Sequence, residues 1–547
     1  MGDVEFNIGL VHEAISAAIP DRECIVWRER RLTYADVTDR SRRLAVYLRQ
    51  AGLGCHVERD RLAGHESGQD HLALYLYNGN EYIEGMLGAF KSRVASFNVN
   101  YRYVLEELRY LFADAAATGI VYHATFAPAL AEVLPALPGV RVLLQVADES
   151  GNDLLPGAVD YEAALASVPP GPVPVDLSPD DLYILYTGGT TGMPKGVLWR
   201  QHDIFMAAMG GRSLGTWELA VDYAQLASKA AAGRGLTMMV LPPLMHGAAQ
   251  WAAFIGMTGG ATLVLPHDVR RLDPVDVWET LAREQANTMT VVGDAMARPL
   301  IEELERGDHD ASTLIGFGNG GAMLNPALKQ RLIDRLPNVM VSDAMGSSET
   351  GAQATHLSVK GGVQTGRFVP GPGAVVVDDA MRDLLAPGHE GIGWLGQSGW
   401  VPLGYLGDEV KTARTFPVID GVRFAIPGDR ARLLADGEIE LLGRDAVTIN
   451  SGGEKIFAEE VEQAISGHPA VHDVVVVGRP SERWGQEVVA LVQVADGWSV
   501  GNDELEAHAA QFVARYKLPK AWIFLPAIQR SPSGKADYRW AREQVGA

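Results

Sequence analysis

The stretch "LYILYTGGTTGMPKGVLWR", Leu182 to Arg200, decides how this chain is read. The apolar run Leu182 to Tyr186 has the length of a strand. It then breaks into Thr187, Gly188, Gly189, Thr190, Thr191, Gly192 and, past Met193 and Pro194, Lys195. Glycines let a backbone approach a ligand and present its N–H groups. Threonine hydroxyls add neutral donors, and a lysine adds a point charge suited to phosphate. A strand that runs into such a loop is expected to cradle a polyanion. The spacing is not that of a Walker loop, which needs Gly-x-x-x-x-Gly-Lys-Ser/Thr. A plain flexible linker would not follow an apolar strand and end in Pro-Lys-Gly-Val.

The rest of the composition narrows the class. A chain of 547 residues is too long for one ordinary core, so two or more domains are expected. Its 47% hydrophobic and 21% charged residues are globular values. The formal net charge of -21 argues against nucleic-acid binding and against general attraction to anionic membranes. Cys24 and Cys55 form no metal pattern and no disulfide framework, which fits a reducing, cytoplasmic location. The N-terminus carries Asp3 and Glu5 and no early basic residues, unlike a secretory signal. Phe6 stands where a myristoylation site needs Ser or Thr. Gly235 to Pro266 contains no Asp, Glu, Lys or Arg. Pro242, Pro243, His246, Gln250 and Gly259-Gly260 punctuate it, so it reads as loop, buried helix, turn and buried strand, with no membrane-spanning segment.

Helical and strand patterns alternate. "HLALYLYN", "RVLLQVA" and "ATLVLP" read as strands, "EYIEGMLGAFKS" as a helix, and the residues after Asp36 show helical spacing. This predicts layered α/β structure with largely parallel sheets. "ARLLADGEIELLGR" reads as a hairpin about Asp436-Gly437. Beyond it, "EEVEQAISGH" and "DELEAHAAQFVARY" read as helices, and "DVVVVGRP" and "VVALVQVA" as strands. A boundary at Gly443 to Ala446 divides residues 1–442 from a compact unit, 443–547.

Six further stretches complete the pattern: "GFGNGGAMLNP" (316–326), "DAMGSSETG" (343–351), "IPGDRARLLADGEIELLGR" (426–444), "SGGEKIFAEEVE" (451–462), "ARYKLPK" (514–520) and "SPSGKADY" (531–538). Together and in this order they resemble the adenylate-forming enzymes, a superfamily that contains acyl-CoA synthetases, peptide-synthetase adenylation domains and beetle luciferases. "GGEKIFAEEVE", "GRPSERWGQEVVALV" and "SPSGKADY" are most similar to bacterial ligases of long-chain or sterol-side-chain acids. The resemblance implies a large N-terminal domain of layered α/β subdomains with mixed sheets, and a small mobile C-terminal α+β domain. It implies ATP and CoA as co-substrates, Mg2+, and a small carboxylic acid. The acid would be activated as acyl-AMP and passed to CoA. Oligomeric state and peripheral membrane contact stay open.

Residue by residue, the resemblance gives the Thr187 to Lys195 loop the outer phosphates of ATP. It gives Glu349 the magnesium, with Ser348 and Gly346 near the phosphates; oxygen ligands suit that ion. Gly320, Gly321 and Ala322 lie along the adenine, and Met345 stands where the family usually has an aromatic. Asp429 takes the ribose hydroxyls, and Arg444 stands beside it. Lys535 bridges the acid and the α-phosphate. Ser451, Gly452 and Gly453 line the CoA tunnel. His246 borders the carboxylate. Trp251, Phe254 and Met257, at helical spacing, fit either an acyl pocket or an ordinary core stripe. Asp445 and Ala446 stand where the hinge residue, often Asp or Lys, is expected.

Three alternatives remain at this point: an amino-acid adenylation domain that loads a carrier, with Asp294 as the acid for an α-amino group; an acyl-AMP ligase that does not use CoA; and a non-catalytic binding module.

Overall fold

The Leu182–Gly189 segment forms a strand that turns back on itself. Gly192–Arg200 pairs antiparallel with it, with Thr187 opposite Lys195 and Gly189 opposite Gly192. The glycine loop is thus the tip of a hairpin. The structure is a computed structural model that describes residues 4–547 except 173–174, 190–191, 234, 364–365, 452–453, 482 and 531–533. Thr190, Thr191, Gly452 and Gly453 therefore lie outside the described residues.

The hairpin joins an eight-stranded sheet through Ala95–Asn98, which runs parallel to His71–Tyr75. Ala117–His123 and Val142–Val146 continue the parallel run. Every residue of His71–Tyr75 is buried, as in parallel sheets covered on both faces. A second, larger sheet has a parallel half made of Glu23–Trp27, Thr262–Leu265, Thr237–Val240, Thr288–Val291, Gly316–Gly320 and Met340–Ser347. It turns antiparallel from Gly351–Ser358 onward and takes in the expected hairpin of Asp429–Leu433 and Ile439–Arg444. The sheets are mixed and the layers alternate, as the sequence implied.

Ligands of open α/β sheets bind beyond the carboxyl ends of the strands. Those ends carry Asn98, the loop after Val240 that holds His246, Gly320 and Ser347. Buried amides tie the edges of the two sheets together. Asn78 Nδ2 donates to the Pro242 carbonyl (3.0 Å), and its Oδ1 accepts from the Leu244 N–H (2.6 Å). Asn98 Nδ2 donates to the carbonyls of Tyr186 (2.8 Å) and Met245 (2.7 Å). Gln250 Nε2 donates to Leu244 O (2.7 Å), and Tyr183 donates to Gln250 Oε1 (2.7 Å). The backbone groups of Pro242, Leu244 and Met245 are thus met by partners rather than left at a cost.

The uncharged segment resolves into strand Thr237–Val240, a loop, helix Gly247–Thr258 and strand Thr262–Leu265. Among the described residues no helix is long and apolar enough to cross a membrane.

Two boundaries differ from expectation. The helix expected after Asp36 starts at Tyr34, because Thr33 and Asp36 form a reciprocal capping box there. The helix expected through Tyr516 ends at Ala509. The chain tightens into a turn that sends Val513 and Leu518 into the core and leaves Phe512 65% exposed.

The small domain is a five-stranded sheet of Thr448–Ser451, Glu454–Phe457, Val471–Ser481, Gly485–Val494 and Ala521–Phe524. Helices Ala458–Ser466 and Tyr538–Val545 cover it. Its own core includes Ile449, Val461, Ile465, Val475, Leu491 and Leu505. Each such side chain contributes about 1.5–3 kcal/mol on full burial.

Candidate active site

The antiparallel pairing of Asp429 with Arg444 sets two opposite charges side by side. Arg444 Nε donates to Asp429 Oδ1 at 3.2 Å. The Asp429 charge holds the guanidinium above its ordinary range, against the effect of burial.

Lys535 comes from the small domain, in the turn before the last helix. Gly534 precedes it at φ +78°, and a Cβ there would stand 3.5 Å from both Val292 O and the Ala295 methyl. This left-handed glycine lets the turn seat on the large domain. The Lys535 residue is exposed, though protein groups gather around its ammonium. Desolvation lowers its pKa, and the Arg444 charge lowers it further; Asp429, Glu349 and Glu459 oppose them. Three separated sequence motifs are therefore electrostatically within reach of one ammonium group.

Glu349 is 9% exposed, and its Oε1 accepts from the Tyr405 hydroxyl at 2.7 Å. The Lys411 ammonium lies over the Tyr405 ring, 4.1 Å from its centroid. Burial holds Lys411 below the usual lysine range, with Glu349 opposing and Lys195 reinforcing. Lys195 Nζ is 3.6 Å from Asp408 Oδ2. Burial works against the Lys195 charge, but Tyr110, Asp114 and Asp408 outweigh it and raise its pKa. Two cations, Lys195 and Lys411, and the Glu349 carboxylate thus lie within electrostatic reach of one another. Among the described residues no group of three metal-ligating side chains occurs. One carboxylate completed by phosphate oxygens is the arrangement Mg2+ favours, so Glu349 fits that ion.

His246 caps the Gly247–Thr258 helix. Burial first, then the Lys535 and Arg102 charges, push its pKa down to about 3. The imidazole is neutral, and its buried Nε2 has no hydrogen-bond partner among the described residues. Such a group suits a polar ligand atom better than a sealed core.

Asn319 builds the Gly320–Ala322 turn. Its Nδ2 donates to Ala322 O (3.0 Å) and Asp343 Oδ1 (2.9 Å), and its Oδ1 accepts from the Gly293 N–H (2.7 Å). Asp343 in turn pairs with Lys329, which is fully buried, at 2.5 Å. Gly346 admits no side chain, because a Cβ would lie 2.0 Å from Gly351 O. The Ser348 carbonyl accepts from the Trp199 indole at 2.9 Å.

Other expected residues stand differently. Met345 is 7% exposed and packs into a small core with Ala354, Phe368 and Leu395. Phe254 and Met257 belong to the main core, while Trp251 packs at its edge. A Cβ on Gly247 would meet Leu185 and the Trp251 ring, so the glycine leaves room between them. Ser451 pairs with Glu454 and Gly485, both in the small domain. Asp294 accepts from the Asn325 N–H (2.7 Å), faces Arg298 at 3.6 Å and interacts with Arg530. That carboxylate serves the contact between the domains, where Asn325 also donates to Ser466 O (2.6 Å). This placement removes the basis for reading it as an amine-binding acid.

Sequence reasoning did not find Tyr405, Lys411, Asn78 or Asn98. "GYLGDEVKT" holds the first two, and its tyrosine-to-lysine spacing across a glycine turn was the available signal. Single loop asparagines carry none.

Comparison with known proteins identifies the family. The profile of AMP-binding enzymes matches residues 13–406, and that of the AMP-binding enzyme C-terminal domain matches 460–535. The chain is 62% identical over 540 residues to the medium-chain acyl-CoA ligase Mig of Mycobacterium avium, covering 99% of this chain and 98% of that one. It is 40% identical over 550 residues to the 3-oxocholest-4-en-26-oate–CoA ligase of Rhodococcus rhodochrous, covering 98% and 95%. Among solved structures, ATP-bound MatB from Rhodopseudomonas palustris shares the fold, with a TM-score of 0.80, 21% identity and 99% of each chain covered.

Proposed function

The chain belongs to the family of AMP-binding enzymes and is an ATP-dependent acyl-CoA ligase; we propose that its acid is an apolar carboxylic acid of medium chain length. The similarity to the Mycobacterium avium ligase supports that length. A sterol side-chain acid is the second reading, supported by the Rhodococcus relative. The observation that carries the chemistry is the meeting of Lys535 with Asp429, Arg444, Glu349 and His246.

In the first half-reaction an acid oxygen attacks the α-phosphorus of ATP. The bond from that phosphorus to the bridging oxygen breaks, and pyrophosphate leaves with the electron pair. Negative charge grows on the phosphoryl oxygens, where a fixed cation such as Lys535 acts most strongly. Asp429 accepts from neighbouring ribose hydroxyls, which a carboxylate can do at once. Thr187, Gly188, Gly189, Thr190, Thr191, Gly192 and Lys195 hold the outer phosphates, with Ser348 and Gly346 beside them. Glu349 would hold Mg2+, which neutralises phosphate charge when bound. Neutral His246 orients the acid through its free Nε2, and Gly320 to Ala322 flank the adenine. In the second half-reaction the CoA sulfur attacks the acyl carbonyl and AMP leaves. For that step the small domain, which follows the hairpin strand ending at Arg444, turns Lys535 away and presents Ser451, Gly452 and Gly453. The unpaired Cys24 and Cys55 fit a cytoplasmic setting.

The test is a panel of acids, from acetate to long-chain and sterol side-chain acids, with ATP and Mg2+, with and without CoA. Medium-chain acids should give thioester with the highest kcat/KM. Pyrophosphate without thioester would instead identify an acyl-AMP ligase, and preference for the sterol acid would select the second reading.

A hydrogen bond to a charged group contributes about 1.5–3 kcal/mol. Tyr405→Phe removes one from Glu349. It should raise the Mg2+ needed for half-maximal pyrophosphate release by about tenfold, with KM for the acid unchanged. An unaltered Mg2+ titration would remove Tyr405 from the metal's support.

A further inference from the structure

Glu459 opens the helix Ala458–Ser466 of the small domain and points back at the hairpin of the large one. A Cβ on Gly443 would lie 2.3 Å from Glu459 Oε2 and 3.2 Å from its Cβ. Gly443 has φ +119°, a conformation natural to glycine. The missing side chain is the space into which the glutamate fits. The Arg444 N–H faces the carboxyl group, and the charges of Asp429 and Lys535 act on it. No role in the reaction described above uses this residue.

We propose that Glu459 is a positioning residue for the adenylation half-reaction: seated over Gly443, it latches the small domain to the Asp429–Arg444 pair and so fixes where Lys535 stands. The proposal rests on the reading of Lys535 as the adenylation lysine. It follows from where the contact lies. Glu459 and Lys535 belong to the same domain, and the groups they meet, Gly443, Arg444 and Asp429, form the end of one hairpin. Holding Glu459 on that hairpin therefore limits the travel of Lys535 over the same two strands. When the small domain turns for thioester formation, this contact must open.

The contact also has a pH signature. Burial and the Asp429 carboxylate push Glu459 up to about 7, with Arg444 and Lys535 opposing. The other titratable neighbours are Glu462 on its own helix and Tyr538 on the last helix. Turned away from the hairpin, the carboxyl group loses the Asp429 charge and part of its burial, so its value falls back toward the ordinary one. The docked state thus binds the proton more tightly. Docking is fully supported below the ordinary value and weakens as pH rises through the raised one. Above it, Glu459 and Asp429 face each other as two anions.

The experiment measures both half-reactions of the full-length protein, acyl-adenylate formation and thioester formation from preformed acyl-adenylate, with Lys535→Ala in parallel. Glu459→Ala should slow the first about tenfold and leave the second within twofold. Glu459→Gln keeps the shape without the titration, so its rate relative to wild type should be about tenfold higher at about pH 8.5 than at about pH 5.5, as expected for a loss of one unit of pKa coupling or more. Gly443→Ala should also impair adenylation, and adding Glu459→Ala should cost less than the product of the two single effects, because the clash is then relieved. Equal loss of both half-reactions, an unchanged pH ratio for Glu459→Gln, or independent effects at Gly443 and Glu459 would each overturn the latch. If Lys535→Ala left adenylation intact, the reading beneath it would fail instead.

Discussion

Lys535→Ala is expected to slow acyl-adenylate formation by about 10²–10³-fold, the size of effect seen when one preorganised electrostatic contact is lost from a transition state. The thioester half-reaction, started from preformed acyl-adenylate, should be nearly unaffected. The reason is positional. Lys535 feels the charges of Arg444, Asp429 and Glu349, so its ammonium acts where the site's charges converge. The shortened side chain leaves Arg444 and Lys195 as cations, but both already face carboxylates. The pH profile gives a second readout. Burial and Arg444 lower the lysine pKa below its ordinary 10.5. In the adenylation role proposed for Lys535 the protonated form is the active one, so adenylation should fall as pH rises through that lowered value, and the alkaline limb should vanish in Lys535→Ala. Equal slowing of both half-reactions would assign Lys535 a role in folding or docking instead.

Asp343→Ala should lower the unfolding free energy of the large domain by about 3–5 kcal/mol, as for a buried ion pair that loses one partner. Lys329 is fully buried and Asp343 is 6% exposed, with 2.5 Å between ammonium and carboxylate. The same carboxylate accepts from Asn319, which positions the Gly320–Ala322 turn through Ala322 O. Urea unfolding followed by tryptophan emission suits the measurement, because Trp199 and Trp278 of the large domain are fully buried. A loss under about 1 kcal/mol, the scale of an exposed pair, would mean that water or another carboxylate reaches Lys329. The adenine turn should loosen in the same variant and raise KM for ATP.

The parts of the site that the sequence made legible are those in which local pattern and chemistry coincide. Glycines and threonines ahead of Lys195, the Gly-Ser-Ser-Glu of residues 346–349 and the Gly-Lys of 534–535 are too unusual in polarity for ordinary loops. The Asp429–Arg444 pair was legible twice, as motif and as the two ends of a hairpin about Gly437. The rest depends on tertiary structure. Phe254, Met257 and Trp251 share helical spacing, and periodicity alone cannot tell a core face from a pocket wall. The structure puts the first two in the main core. Met345, where the resemblance implies a side chain against the adenine, packs against Phe368 because the strand's alternation turns it inward. The late stop of the predicted helix at Tyr516 has a similar origin: Val513 and Leu518 reach the core only if the chain turns after Ala509. Asn78 and Asn98 are ordinary residues until the two sheets meet.

Those asparagines have a consequence for the heat of binding. The loop from Pro242 to His246 is held on one side by Asn78 and Asn98 and on the other by Gln250. Its conformational entropy is therefore surrendered when the chain folds. An acid that docks beside His246 meets backbone already in place, and its association carries no ordering penalty from this loop. Cutting one tie, as in Asn78→Ala, moves that entropy loss from folding to association. Calorimetry would then record a more unfavourable binding entropy for the acid, with its polar contacts unchanged.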